Sequence, residues 1–395
     1  MKTRLGTSSL VVAAFVGPGT VLTCASAGVR FDYALGWVLV FASLAVFVLQ
    51  SFTAASGILA GKGLGDALRD LATRPIARGA VNVLVVLGLW VGCAAFETGN
   101  LLGAAAGFEA ALGLPSSVAV VLCAVAALVL LLFNLKAVTT ILAGLVAVMS
   151  VVFLTSAMLA DIDWGAFVRG LAVPTVPDGS IVTVIALMGT TVVTYNLFLH
   201  ASASRRYWAA DETERAWRGE LRGMALFIPL GGLVSLCILA TGAAVSEGGM
   251  PASIGEFAVL LEPAAGAASR YLFAAGLLAA GLTSAVTAPL AAAAGISELF
   301  AWDADGPRFR IIWASVLATG VFFALTGVSP LQLIIAAQAA NGVLLPLIAG
   351  LVVFVAVRQR ATRLPGWYLG LGGVIVLVCA GLGVRTLMWV WGQLA

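Results

Sequence analysis

Charge is scarce in this chain. Asp, Glu, Lys and Arg make up 10% of its 395 residues, against 62% hydrophobic residues and a mean hydropathy of +1.10. Soluble domains carry about 25% charged residues, so a water-soluble fold would lack polar surface. Histidine is nearly missing too: His200 stands alone. One histidine and few acids within apolar segments assemble no nucleophile–base–orienter set, so an enzyme is excluded. The five cysteines (Cys24, Cys93, Cys123, Cys237, Cys379) show no CxxC spacing, which excludes a zinc site or a disulfide framework. There is no GxxxxGK[ST] phosphate loop, so this polypeptide alone does not drive transport with ATP. No cofactor is implied. Basic residues nowhere interleave with aromatic platforms, and nucleic-acid binding has no support.

What the chain has is long apolar runs. Eleven lie near the roughly 20 residues a bilayer requires: about 8–28, 34–59, 80–106, 117–134, 137–159, 180–201, 223–245, 267–297, 310–327, 331–356 and 366–384. The lipid bilayer is therefore its first partner, and 45 glycines suit closely packed membrane helices. Alternating loops distribute the cations very unevenly. With the N-terminus cytoplasmic, the outer side holds only Arg30, Arg169, Arg270 and Arg385, and the inner side the other 17 of the 21. Positive charge stays inside, so the expected topology is N-terminus cytoplasmic and C-terminus external, in the plasma (inner) membrane. A cleaved leader ending at Ala25-Ser26-Ala27 is the rival for the first segment. Its Gly-Pro-Gly interruption and the loss of charge alternation argue against it. The Arg205-Arg206 and Arg215/Arg218/Arg222 stretch, mixed with Asp211, Glu212 and Glu214, reads as a solvated amphipathic linker helix.

Two of the segments are broken. In the first, Gly17-Pro18-Gly19-Thr20 interrupts an apolar run: proline lacks an N–H and glycine tolerates open dihedrals. Carbonyls around Val16 and Gly17 are expected to be freed toward a cavity, with the Thr20 hydroxyl beside them. In the sixth, Thr190-Thr191-Val192-Val193-Thr194 is a β-branched run of weak helix formers. It either unwinds or merely bends with its hydroxyls on its own carbonyls. Backbone polar groups go unpaired in a membrane only where protein or a solvated cavity takes them up, and paired interruptions mark a transporter's central site. Ionisable groups within spans are costly and hence functional candidates. Glu97, in the third segment, faces the bundle interior as a coupling or packing carboxyl. His200 is either a proton relay or a helix-end residue bonded to carbonyls near cytoplasmic water. Gln338 and Asn341 share one face of the tenth segment, where they either bond neighbouring helices or line the cavity.

With these residues in place, the chain resembles the NRAMP family of proton-coupled divalent metal transporters over nearly its whole length. Gly17-Pro18-Gly19-Thr20 is similar to the family's DPGN run, and Ala27-Gly28, Phe31-Asp32-Tyr33 and Trp37 to the glycine, aromatic and tryptophan beyond it. Gly61-Lys62-Gly63-Leu64-Gly65 is similar to TGKGL, Gly189 to Ser202 to GATVMPHNLYLHS, Gly281 to Thr287 to GQSSTIT, and Gln338 to Pro346 to the SQ…LP pattern. The resemblance implies an all-α membrane protein of about 11 transmembrane helices in one domain, 1–395. It implies a LeuT-like 5+5 inverted repeat (about 8–159 and 180–356, with an extra helix at 366–384) and discontinuous helices 1 and 6. Interruptions are placed at Gly17, Pro18, Gly19 and Thr194. Substrate-binding positions carried over are Gly17, Thr20, Val193, Tyr195, Asn196, Gln338 and Asn341, with Glu97 and His200 for proton coupling.

The departures bear on substrate. The family's metal ligands are the Asp and Asn of DPGN and the Met of MPH; Gly17, Thr20 and Val193 stand at those positions. Tyr195 stands for the MPH histidine, Thr194 for its proline, and Ala94 for an acid preceding Glu97. None of the family's side-chain metal ligands is retained, and thioether and carboxylate are what select Mn²⁺ or Fe²⁺. Burying a dehydrated dication without an anion is prohibitive. The implied function is a secondary active transporter working by alternating access. Its substrate is expected to be a cation held without the usual set, such as largely hydrated Mg²⁺. The alternatives are a small organic solute, an amino acid or carboxylate, held at a half-helix N-terminus, and a non-transporting sensor on the same scaffold.

Overall fold

The computed structural model describes residues 6–71, 74–244, 268–304, 306–327, 330–359 and 364–394. Every regular element among them is a helix. In chain order they are α1 (Ser8–Phe15), α2 (Pro18–Phe31), α3 (Gly36–Ile58), α4 (Leu64–Leu71), α5 (Pro75–Leu112), α6 (Ser116–Leu131), α7 (Leu135–Leu159), α8 (Trp164–Ala172), α9 (Ile181–Thr191) and α10 (Thr194–Tyr207). Next come α11 (Thr213–Ala244), α12 (Ala268–Leu299), α13 (Pro307–Leu325), α14 (Pro330–Gln359) and α15 (Gly366–Leu394). Among the described residues eight helices are long and apolar enough to cross a bilayer, or nine when α1 and α2 count as one bent span. Two shorter apolar helices, Ser116–Leu131 and Leu344–Arg358, occupy the remaining two expected segments.

Helices α1, α2, α9 and α10 lie at the centre. All of α1 is buried, as are Thr194 to Ser204 in α10. Around them α12 runs along α5 and α7, α11 packs on α2 and α3, and α13 covers α5. The α2–α11 contact shows how small residues permit this density. A Cβ on Gly28 would stand 2.6 Å from the Ala243 nitrogen, and one on Gly242 would stand 3.0 Å from the Ala25 Cα. The outer faces of α5 and α6 present Leu84, Leu87, Val121 and Val125 outward, as lipid contact demands.

The linker expected around residues 205–222 is not solvated throughout. Helix α11 starts at Thr213 and continues unbroken to Ala244, with Ala216, Trp217 and Glu220 buried on the stripe that carries Met224 and Phe227. Their spacing is that of one helix face. Glu220 is a buried acid that the charge count alone did not single out.

Candidate functional site

The first break falls at Val16–Gly17, and α1 and α2 bend by 56° there. Pro18 and Gly19 belong to the first turn of α2, with Gly17 as its extended N-cap residue. Proline at the first helical position loses nothing by lacking an N–H. The Gly17 carbonyl therefore is not freed: it accepts from the Val21 N–H at 3.1 Å. The last carbonyls of α1 are also engaged. Asn196 Nδ2 donates to Val11 O at 2.9 Å, the Val16 N–H to Val12 O at 2.9 Å and Ser284 Oγ to Ala13 O at 3.0 Å. Tyr195 Oη donates to Ala14 O at 3.4 Å. Thr20 Oγ1 donates to Phe15 O and lies 2.8 Å from Thr190 Oγ1, so its hydroxyl joins the two broken helices. A Cβ at Gly17 would stand 2.5 Å from Ser284 Oγ, so a side chain there would make Ser284 turn its hydroxyl away; Asn100 Oδ1 would lie at ordinary contact, 3.6 Å.

The second break is Val192–Val193, between α9 and α10. Here the halves remain straight enough to form one apolar span, Ile181–Tyr207. Thr194 begins α10, and Thr191 bonds its own helix at Leu187 O, 2.8 Å away. One side chain closes the gap. Asn341 Oδ1 accepts from the Thr194 N–H at 3.1 Å and from Thr194 Oγ1 at 2.7 Å, while its Nδ2 donates to Gly189 O at 2.6 Å and Val192 O at 3.1 Å. Val193 is buried and offers no polar side chain. Gln338 lies on α14, but its side chain falls outside the described residues.

Beside the breaks, α5 brings Glu97 and Asn100 together one turn apart. Glu97 is fully buried, and neither carboxylate oxygen has a hydrogen-bond partner; Asn100 Nδ2 and Asn196 Oδ1 are unpaired as well. Groups of this kind are rare in a finished core. Against the same wall, Tyr195 meets Phe96 edge-on with centroids 5.5 Å apart. Phe96, Tyr195, Thr194 and Asn341 line a cavity of about 880 Å³ whose other walls are apolar residues of α5 and α14, and which opens outward past Leu84 and Leu87 of α5. Among the described residues no three His, Cys, Asp or Glu side chains gather to hold a metal ion.

His200 is not at a wet helix end. It is completely enclosed, with Nε2 3.0 Å from Glu220 Oε1 and Nδ1 3.0 Å from Thr53 Oγ1. Glu220 also accepts from the Thr7 N–H, Thr7 Oγ1 at 3.1 Å, Ser8 Oγ at 2.9 Å and Trp208 Nε1 at 2.6 Å. A carboxylate thus caps the N-terminus of α1, where it meets unpaired N–H groups and the positive end of the helix dipole. The glycine loop 61–65 has its own partner. Gly65 N donates to Glu298 Oε2 at 3.3 Å, and Arg205 on α10 binds both Asp66 and Glu298. A side chain at Gly63 would fall on the Glu298 carboxylate.

The profile of the Nramp family (natural resistance-associated macrophage protein-like) matches residues 8–389. The chain belongs to the Nramp family. Members of this family are membrane transporters, not enzymes, and this Nramp protein is a multi-pass membrane protein. It is similar to the divalent metal cation transporter MntH of Yersinia pestis (strain Pestoides F), 28% identical over 403 residues, covering 97% of this chain and 94% of that one. MntH of Klebsiella pneumoniae is 27% identical over 398 residues, covering 96% and 92%. Its fold is that of the Eremococcus coleocola manganese transporter solved with an aromatic bis-isothiourea substituted compound (TM-score 0.82, 22% identity, 97% of this chain and 86% of that one). Mhp1, a nucleobase-cation-symport-1 family transporter, shares the fold more distantly (TM-score 0.58, 15% identity, 98% and 93%). The expected LeuT-like architecture is thereby met in this Nramp chain.

Sequence reasoning found the breaks and Glu97 but passed over Glu220, Glu298, Asn100 and Ser284. The apolar stripe Trp217, Met224, Phe227 around Glu220 was the readable signal for the first of these. Nothing local marks the others.

Proposed function

We propose that this protein is a secondary active transporter of a metal cation, working by alternating access, and that the cation passes without a side-chain cage of the manganese or iron type. The observation that carries this reading is the state of the α1 break in a chain related to MntH over nearly its whole length. The carbonyls of Val11, Ala13, Ala14 and Phe15 are each bonded by a side chain of the protein, and Gly17, Thr20 and Val193 supply neither anion nor thioether. A cation at this position keeps much of its water, which suits Mg²⁺. The nearby ionisable group is Glu97, with Asn100 beside it. The two broken helices are read as corresponding members of two inverted repeats, about 8–159 and 180–356.

In proteoliposomes, saturable Mg²⁺ uptake is expected at millimolar concentration and no saturable Mn²⁺ uptake at micromolar concentration. High-affinity Mn²⁺ uptake would overturn the proposal. The Glu97→Gln variant is expected to lose any pH dependence of transport while still binding substrate. An unchanged pH profile would make the carboxyl structural and place coupling elsewhere.

A second reading, a small organic solute, is favoured by the 880 Å³ cavity with its Phe96–Tyr195 wall. A thermal-shift screen of divalent cations against amino acids and organic acids separates the two, because a ligand of the native state raises its stability.

The orientation has a direct check. All five native cysteines are buried, so an impermeant thiol reagent reads single introduced cysteines cleanly. Cysteines at Asp70 and Asp211 are expected to label only from the cytoplasmic side and one at Trp164 only from outside. One reversed position would require a different number of spans.

A further inference from the structure

A second cavity, of about 680 Å³, lies away from both breaks, where α6 ends, α7 begins, α10 ends and α13 begins. Three cations from three different helices line it: Lys136 on α7, Arg206 on α10 and Arg310 on α13. No Asp or Glu is among its lining residues. Lys136 and Arg310 are exposed. Aromatic rings complete the wall, with Trp313 buried on one side and Phe133 half exposed on the other. Leu132, also in the lining, is 68% exposed just past the end of a helix whose outer face is apolar.

These features occur together at one depth. All three cations belong to the 17 assigned to the cytoplasmic side, so the cavity sits at the inner interface, between lipid-facing leucines and loop cations. Aromatic side chains concentrate at that level, and basic pockets between transmembrane helices on the cytoplasmic side bind anionic headgroups. A soluble anion would use the cations but leave the Phe133–Leu132 lip bare. A neutral lipid would use the lip and leave Lys136 and Arg310 without an anion between them. We propose that this cavity is a binding site for the headgroup of an anionic phospholipid, with the phosphodiester between Lys136 and Arg310 and an acyl chain passing over Phe133 and Leu132. It joins α10, the helix after the second break, to α7 and α13, so an occupied site ties α10 to the surrounding bundle.

The test uses the full chain purified in detergent and titrated with phosphatidylglycerol or phosphatidylcholine, reading the thermal unfolding midpoint. Phosphatidylglycerol is expected to raise the midpoint and phosphatidylcholine is not. Each cation near an anionic lipid accounts for about fivefold in affinity. A Lys136→Gln/Arg310→Gln double variant should therefore need at least roughly tenfold more phosphatidylglycerol for the same rise, while Lys136→Arg/Arg310→Lys should behave as the parent does. A double glutamine variant with an unchanged titration would overturn the site. So would an equal rise produced by inorganic phosphate or glycerol phosphate alone, which would make it a soluble-anion pocket. Should the double variant fail to purify as a single species, Lys136→Gln alone is read the same way. A roughly fivefold shift supports the site, and none refutes it.

Discussion

Replacing Glu220 with alanine is expected to destabilise the protein by about 3–5 kcal/mol, the size of effect seen when one partner of a buried charged network is removed. The carboxylate meets Thr7, Ser8, His200 and Trp208, all of them buried. Alanine leaves an indole N–H, the N–H at the start of α1 and two hydroxyls facing a void. Glutamine should recover part of the loss. It keeps one acceptor oxygen, but its amide N–H₂ must face other donors. His200→Phe should cost less than Glu220→Ala, because the remaining donors keep their acceptor. Thermal and denaturant unfolding in detergent measure all three variants. A loss below about 1 kcal/mol for Glu220→Ala, the worth of one ordinary hydrogen bond, would show that this network is not what anchors α1.

The second large effect is expected at Asn341. Asn341→Ala removes both acceptor bonds to Thr194 and both donor bonds to Gly189 and Val192. Hydrogen bonds between membrane helices average about 0.6 kcal/mol and reach roughly 1.7, so the four together amount to about 2–7 kcal/mol if none is replaced. Transport should fall by tenfold or more, since the geometry of the α9–α10 break is what Asn341 sets. Asn341→Asp separates the two halves of the role. It keeps the acceptor toward Thr194 but turns a second oxygen toward the Gly189 and Val192 carbonyls. It should therefore recover little of the alanine loss. Uptake assays and unfolding of the two variants check this. An alanine variant that transports normally would mean that the break holds itself open.

The same residue shows where a linear reading stops. Asn341 was legible as a polar residue on an apolar helix that either bonds a neighbour or lines the cavity. Only the packing of α14 against α9 directs its amide into the break. The Gly17-Pro18 interruption was legible outright, but the Gly17 carbonyl expected to face a cavity is already bonded by the Val21 N–H. The α1 carbonyls of Val11, Ala14 and Ala13 are engaged by Asn196 and Tyr195 from α10 and by Ser284 from α12.

By itself the sequence determined the membrane class, the run of apolar segments, the first interruption and the isolation of Glu97. These come from terms that act locally: transfer of side chains into hydrocarbon is summed along about 20 residues, and proline and glycine act on their own turn. Tertiary structure decided which polar groups remain unpaired. Thr7 and Glu220 are 213 residues apart yet share two hydrogen bonds to one N–H, and Arg205 reaches across to Asp66 and Glu298. A buried polar group is stabilised or orphaned according to which helix face meets it. That meeting is fixed by how the helices pack, which no local property of the chain encodes.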